Sequence, residues 1–544
     1  MPFRSHPPPT PLLFGYDPVR DLPQDHLARL VEQVVEESLT HSYRPNTPGQ
    51  PTFDPRLCAK ILLYGYATGI RSSRLLERHC NESLPYLFLT RGDTPSYRTL
   101  CSFRVEHPEI IESVWRGMFA VAERAGIRRL GRIVIDSTKM HADAGPEAVV
   151  KACEYEAVLQ ELNTILQEAQ ATDAYEEENS PASTTLGKIV PKEQMRDILR
   201  RVRKQQGPQK AASEKDKTLP PTSSPPAGEL PPLPPTQEPS SPPEAKPLPE
   251  PSPDTPTDRP LLGPRMLERI KMAIETLQSA QQAEQKHACL TDPDARMMGE
   301  GREKKIRECH SFEVAVDNGL LVLGQTCQSP VDNPRLLVLV EAARAQEPNG
   351  LTAVDADSGY YSGEAIFALL SEGLDVCIPD AHTAADLHRS VPIGTNRAKS
   401  AGSLEMPYDP TAHHYTCPNG NTLTFQRTVA NGGQQMRVYK AQSSCAGCPL
   451  KEACGLKSGS KYRTISVGTH SQELRVHLKR FAEADHVERY RERAPMVETV
   501  FARLRWLLGY GRWMLRGKVR VAAEGCLFTA ALQIRKIQAQ RLAS

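Results

Sequence analysis

Residues 207–264 hold 19 of the 47 prolines in the chain, set among Ser, Thr, Glu and Lys with no aromatic residue. Such a tract buries too little apolar surface to offset the entropy of ordering it. The 544 residues therefore cannot form one uninterrupted core, and the chain reads as globular stretches around an unstructured centre. The tract also depresses the overall hydrophobic share to 39%. At roughly 100–200 residues per domain, the length implies three or more units.

Before the tract, residues 1–125 read as a helical N-terminal domain. "DHLARLVEQVVEESL" carries apolar residues at helical spacing. "DPRLCAKILLYGYATG" has Pro just inside its start and Gly near its end, and the serines of "SSRLLERHC" can cap a first turn. The period then changes. "GRIVIDSTKMHADA" is a β-branched run whose short strand ends at Asp136. Residues 147–286 read as an insertion, a helical pair or coiled-coil-like arm with the 207–264 tract at its centre. From residue 311, "SFEVAVD" and "LLVLGQTC" flank Asn318-Gly319, a pair that favours the type I′ hairpin turn. Helix, strand, helix and strand follow in "PRLLVLVEAARAQ", "GLTAVDAD", "SGEAIFALLSEG" and "LDVCIPD". Residues 395–475 read as a loop-rich, Cys-bearing insertion, and long helices are expected over 472–512 and 519–541. Without the insertions, the order β-β-β-α-β-α-β-α is that of a ribonuclease-H-like core. This is a mixed α/β (α+β) fold assembled from 126–146, 287–394 and 476–544.

The formal charge of +2 does not announce a nucleic-acid binder, but its distribution is uneven. Residues 479–520 hold eleven Lys or Arg against five acids, which suits phosphate binding; the alternative is a solvated helix face. Residues 1–13 lack the apolar run of a secretory signal, and no stretch approaches the roughly 18 apolar residues of a membrane span. A cytoplasmic protein with no membrane partner is expected, so its 13 cysteines are not read as a disulfide framework.

Three acids stand at informative places. Asp136 ends "RIVID", Asp357 follows "LTAVDA" and precedes a turn into a helix, and Glu498 lies within the helical "YRERAPMVETVFARLRW". Carboxylates at the ends of adjacent strands, joined by one from a crossing helix, can meet at one point. Oxygen ligands of this kind bind hard cations such as Mg²⁺. Two such ions ~3.5–4 Å apart serve the in-line displacement of a phosphodiester, with water or a DNA 3′-hydroxyl attacking. Taken alone, an Asp after a strand is commonly a turn former or helix cap, and no one of the three acids by itself points to function. Asp355, two residues before Asp357, competes with it; Asp143 and His141 lie close behind Asp136, and the hairpin turn accounts for Asp317.

"IDSTKMHADA", "ADSGYYSG" and "YRERAPMVETVFARLR" resemble the three acidic motifs of bacterial insertion-sequence DDE transposases. The resemblance is to the IS4/IS5-like branch with an InsH-type helical N-terminal domain and a Tyr-Arg-Glu-Lys signature. It extends to "FDPRLCAKILLYGYATGIRSSRLLERHCNESLPYLFL", "SYRTLCSFR", "TDPDARMM" and "RGKVRVAAEGCLFTAALQIRKI". It implies Asp136, Asp357 and Glu498 as the catalytic, metal-holding acids, and so selects Asp357 over Asp355. Tyr490 and Arg493 take the signature's Tyr and Arg positions as DNA-binding residues. The signature's Lys is Arg505 here, about two helical turns beyond Glu498, where an Arg can still grip a phosphate. The family's usual Gly-Tyr-Asn before the first hairpin strand is Cys309-His310-Ser311-Phe312 here. The resemblance further implies two Mg²⁺ or Mn²⁺ ions and cleavage at terminal inverted repeats. Strand transfer into target DNA, a homo-oligomeric synaptic complex and a nucleoid-associated location go with it. The competing readings are an inactive, transposon-derived DNA-binding protein and a ribonuclease-H-like nuclease without strand transfer.

Cys417, Cys445, Cys448 and Cys454 cluster around a CxxC knuckle, and four thiolates suit a structural Zn²⁺. His413 and His414 are alternative ligands, and a metal-free set of small loops is the alternative reading. Trp506, Tyr510 and Trp513 could stack on unpaired bases or fill a core. Arg71, Arg74, Arg98 and Arg104 could contact transposon ends.

Overall fold

The computed structural model describes residues 17–39, 53–179, 195–205, 264–300, 305–346, 350–393, 406–431, 434–456 and 459–543. Apart from Pro264, the tract expected at 207–264 lies outside the described residues. The chain divides into two compact units, residues 145–293 and the remainder.

The larger unit is built on a six-stranded sheet. Its strands are β1 (Arg132–His141), β4 (Arg296–Glu300), β5 (Lys305–Asp317), β6 (Leu320–Cys327), β7 (Ala353–Ala356) and β8 (Asp375–Cys377); β2 and β3 belong to the smaller unit. The order is β4-β5-β1-β7-β8, with β6 also on β5. β1 runs antiparallel to β5 and parallel to β7, and β7 runs parallel to β8. With helices Leu336–Arg344 and Gly363–Ser371 as crossovers, this is a ribonuclease-H-like core. Both residues of the Asn318-Gly319 turn have positive φ, 48° and 78°, as a type I′ turn requires.

Two expectations for these strands need correction. β1 does not end at Asp136 but continues to His141, because β5 pairs with it as far as Cys309. The parallel partner β7 matches only Arg132 to Ile135, so Asp136 sits where that partner stops. β5 also starts before residue 311, since its first residues pair with β4.

In the helical region between Pro18 and Arg124, caps set the boundaries. The Asp54 side chain accepts from Arg56 N, with Pro55 at the first helical position. The Lys518–Ala543 helix is buried through its central stretch from Val521 to Ile534, as befits a helix packed on several sides. It lies against β6 and the helices Pro55–Ala67 and Pro108–Arg124. Added to Gly324 on β6, a Cβ would meet Thr529 Oγ1 at 2.0 Å, so only glycine permits this approach of helix to strand. Glu524 anchors the loop before it, accepting from Met514 N and Leu515 N at 2.9 and 3.1 Å.

The helix expected over 472–512 is broken. It is built of Ser471–Phe481, Ala484–Ala502 and a π-helical turn, Arg503–Leu507, followed by an irregular stretch to Lys518. The segment read as loops is also more ordered than expected. β9 (Tyr408–Asp409), β10 (His414–Thr416), β11 (Thr422–Asn431), β12 (Gln434–Ala441) and β13 (Thr464–Gly468) form a five-stranded antiparallel sheet. The alternation in "TLTF" and "MRVYK" and the Asn-Gly-Gly at 431–433 were available signals for its central hairpin.

The unit 145–293 packs helices Tyr155–Asn179, Met195–Gln205 and Pro264–Gln282 around Leu162, Ile198, Ile270 and Leu277. A two-stranded ladder, β2 (Val149–Lys151) with β3 (His287–Cys289), closes its base. No described helix is long and apolar enough to cross a membrane.

Candidate active site

Asp136 lies within β1, one residue past the point where the parallel pairing with β7 stops, and Asp357 is the first residue after β7. Both acids therefore stand just past the parallel pairing of β1 with β7, at the C-terminal end of β7, where open α/β sheets place their ligands. Asp357 caps the Ser358–Tyr360 turn, accepting from Gly359 N at 2.9 Å. A methyl group on Gly359 would come within 3.0 Å of Asp357 Oδ1 and 3.4 Å of Asp332 Oδ2. Asp332 thus brings a third carboxylate to the same place. It accepts from Ser137 Oγ at 2.9 Å and from Lys139 Nζ at 2.8 Å. Sequence reading passed over Asp332, because in "VDNPR" it is an ordinary turn residue and its partners lie almost 200 positions away.

The electrostatics bear the mark of this crowding. Burial, then the charge of Asp357, pushes the Asp136 carboxyl up to about 6, with Arg493 pulling the other way. Arg493 Nη1 stands 3.4 Å from Asp136 Oδ2 and its guanidinium lies over the Tyr490 ring, 5.3 Å from the centroid. Burial pushes the Tyr490 phenol up, and Asp357 adds to the effect. Tyr490, Arg493, Asp136 and Asp357 therefore form one neighbourhood. A cluster of oxygen donors whose negative charges resist one another fits a divalent hard cation.

Glu498 is on the same helix as Tyr490 and Arg493, and that helix crosses β1, β5, β7 and β8. Its side chain is exposed. Among the described residues, one set of three ligating side chains has all its ligand atoms within 4.8 Å: Glu483, Asp485 and His486, at the start of that helix. Asp136, Asp357 and Glu498 do not close to that spacing. Arg505, in the π-helical turn, reaches back to β1, donating to Thr138 Oγ1 and to Lys139 O at 3.1 Å. This puts its cation two residues along the strand from Asp136.

The competing acids have other work. Asp355 is 0% exposed, held by Arg132 at 2.8 Å and by Arg489 Nε at 2.9 Å. Asp143 pairs with Arg512 and Arg516, both at 2.8 Å. Asp317 accepts from the backbone of Leu130 and Gly131.

Several candidate DNA contacts are structural instead. Arg104 is buried and donates to Tyr66 Oη at 3.0 Å, and Arg71 pairs with buried Glu524 at 3.3 Å. Tyr510 and Trp513 stack on Phe528 in the core, with centroids 4.7 and 5.1 Å apart. By contrast Trp506 is 87% exposed, and Arg74 and Arg98 lie at the surface beside Tyr97. The four cysteines expected to form a zinc site line one pocket at the end of the five-stranded sheet.

Two family models match the chain. A transposase DDE domain matches residues 416–538, a stretch that holds Tyr490, Arg493, Glu498 and Arg505 and all four clustered cysteines. A transposase domain (DUF772) matches residues 17–106 of the helical region. No curated protein matches the chain significantly. One transposase model thus lies on the N-terminal helices and a second on the helix that reaches over Asp136, and together they support an insertion-sequence DDE transposase with a role in DNA transposition.

Proposed function

We propose that this chain cuts phosphodiester bonds at the terminal inverted repeats of a mobile element and joins the freed ends to target DNA. The observation that carries the reading is the convergence of Asp136 and Asp357 where the parallel pairing of β1 and β7 stops, close enough that one raises the proton affinity of the other. Asp136, Asp357 and Glu498 are the proposed ligands of Mg²⁺ or Mn²⁺. When bound, two such ions stabilise the attacking and leaving oxygens of an in-line displacement.

The chain's own residues supply the positioning. Arg493 holds Asp136 from the helix side, against the Tyr490 ring. Arg505, pinned to β1 by Thr138 and Lys139, presents a fixed cation to a backbone phosphate. Exposed Trp506 offers a stacking face beside it, and Arg74 and Arg98 add charge on the N-terminal helices. In the first step water attacks phosphorus and the P–O3′ bond breaks, leaving a 3′-hydroxyl and a 5′-phosphate. In the second, that hydroxyl attacks a target phosphorus and displaces the target's O3′, its proton passing to solvent. Holding two ends together for joining calls for at least two copies of the chain.

The test is a cleavage and strand-transfer assay on the element's own ends in Mg²⁺ or Mn²⁺. Wild type should give nicked and joined products. Asp136→Ala and Glu498→Ala should give neither while still shifting end DNA in a gel. Cleavage at the wild-type rate by either variant contradicts the assignment, and cleavage without joined product would favour a plain nuclease.

A further inference from the structure

The five-stranded sheet buries little to hold it together. Its core cluster is Met406, Tyr415, Leu423, Tyr439 and Ala441, with Tyr408, Cys417, Cys445, Cys454, Ile465 and Val467 packed at the margin. A core of that size falls far below what a free-standing module needs, and small modules make up the deficit with a metal or other cross-link. Where the apolar side chains run out, four cysteines take over, from two separate turns: Cys417 between β10 and β11, and Cys445, Cys448 and Cys454 in the segment after β12.

We infer that Cys417, Cys445, Cys448 and Cys454 bind one Zn²⁺ that closes this sheet, a site separate from the carboxylates. Three observations carry it. All four cysteines line the same small pocket, and neither His413 nor His414 does; His413 is turned to Tyr408 Oη, 3.1 Å away. Asn421 donates to two of the sulfurs, from its backbone N to Cys417 Sγ at 3.3 Å and from its side chain to Cys445 Sγ at 3.6 Å. Hydrogen bonds of this kind stabilise thiolates and orient them as ligands. Finally, a divalent ion with four thiolates carries a net charge of −2, and two cations, Lys451 and Arg463, line the pocket. Arg463 donates to Gly455 O at 3.1 Å while its Nε is buried without a hydrogen-bond partner.

No three of these sulfurs lie within 4.8 Å of one another, so metal binding draws the two turns together. Each thiol gives up its proton on coordination. Uptake therefore releases protons and weakens in acid.

The experiment is metal analysis of the purified full-length chain with thiol titration before and after chelation. The expected result is one equivalent of zinc per chain, with four thiols that react with a thiol reagent only after zinc is stripped. Cobalt replacement should give the intense visible bands of a tetrahedral thiolate complex. Cys448→Ser should lose at least nine-tenths of the zinc, and the double variant His413→Ala/His414→Ala should keep it. Should Cys448→Ser fail to fold, the wild-type measurements decide alone. Zinc-free wild type whose four thiols react equally with and without chelator overturns the proposal. So does a chain carrying iron and sulfide, or disulfides among these cysteines.

Discussion

The two cysteine- and carboxylate-bearing regions of the larger unit solve the same problem in opposite ways. Around Asp136 and Asp357 the sheet is sealed by a core that includes Ile133, Ile135, Val314, Val354 and Tyr360, each no more than 0% exposed. That core holds like charges together despite their repulsion. Around the four cysteines the sheet has almost no core, and the ligands are spread about a pocket. In the first region the fold imposes the site; in the second, on our account, the ion completes the fold. The comparison teaches where to look for each failure: loss of a carboxylate should cost chemistry and not stability, and loss of a cysteine should cost stability first.

The largest effect that would break this contrast is on rate. Asp357→Asn should lower end cleavage by at least about three orders of magnitude, the loss of roughly 4 kcal/mol of transition-state stabilisation, with no fall in melting temperature. An Asp357→Asn protein that unfolds early would move Asp357 from site to scaffold.

Arg489→Ala should do the reverse. It strips a partner from Asp355, a carboxylate with no access to water, and breaking such a buried pair costs about 3–5 kcal/mol. Denaturant unfolding should show the loss. Near-wild-type stability would mean that Asp355 is not bound into the scaffold as described.

The pH response of Asp136 sharpens the comparison further. Its carboxyl is pushed up to about 6 in the folded protein, so the folded state holds this proton more tightly than the unfolded state does. Its ionisation therefore takes stability away as pH rises from about 4 to about 6, and the loss persists above that. Asp136→Asn, which does not ionise, should be more stable than wild type at pH 7 in chelator, by at most about 3 kcal/mol. The gain should vanish near pH 4. Equal stability of the two proteins at both pH values would remove the electrostatic conflict from the account.

The smallest expected effect is at Arg505. Lys would keep the charge but lose the two-point grip on Thr138 and Lys139, so cleavage should fall by about tenfold or less. The change should appear in binding of the DNA end more than in the maximal rate.

What could be read in the sequence was local. The switch from helical period to β-branched runs marked β1, and Asn318-Gly319 marked a hairpin whose two positive φ angles the structure shows. Asp136 and Asp357 were visible because each stands beside a strand. What could not be read depends on partners far away in the chain. The continuation of β1 to His141 is dictated by β5. The five-stranded sheet is held by pairings as distant as Met436 with Gly468. Asp332 joins the carboxylates only because Ser137 and Lys139 face it across the fold. Burial misled in the same way: Arg71, Arg104, Tyr510 and Trp513 have the composition of a DNA surface and the contacts of a core.

The central claim is that Asp136 and Asp357 hold divalent metal. Electron paramagnetic resonance of Mn²⁺ titrated into the chain bound to its end DNA reads this without relying on turnover. Wild type should take up Mn²⁺, the Asp136→Asn/Asp357→Asn double variant should leave it free, and Asp143→Asn, a residue paired with Arg512 and Arg516, should bind as wild type does. Mn²⁺ bound equally by the double variant and by wild type would contradict the account.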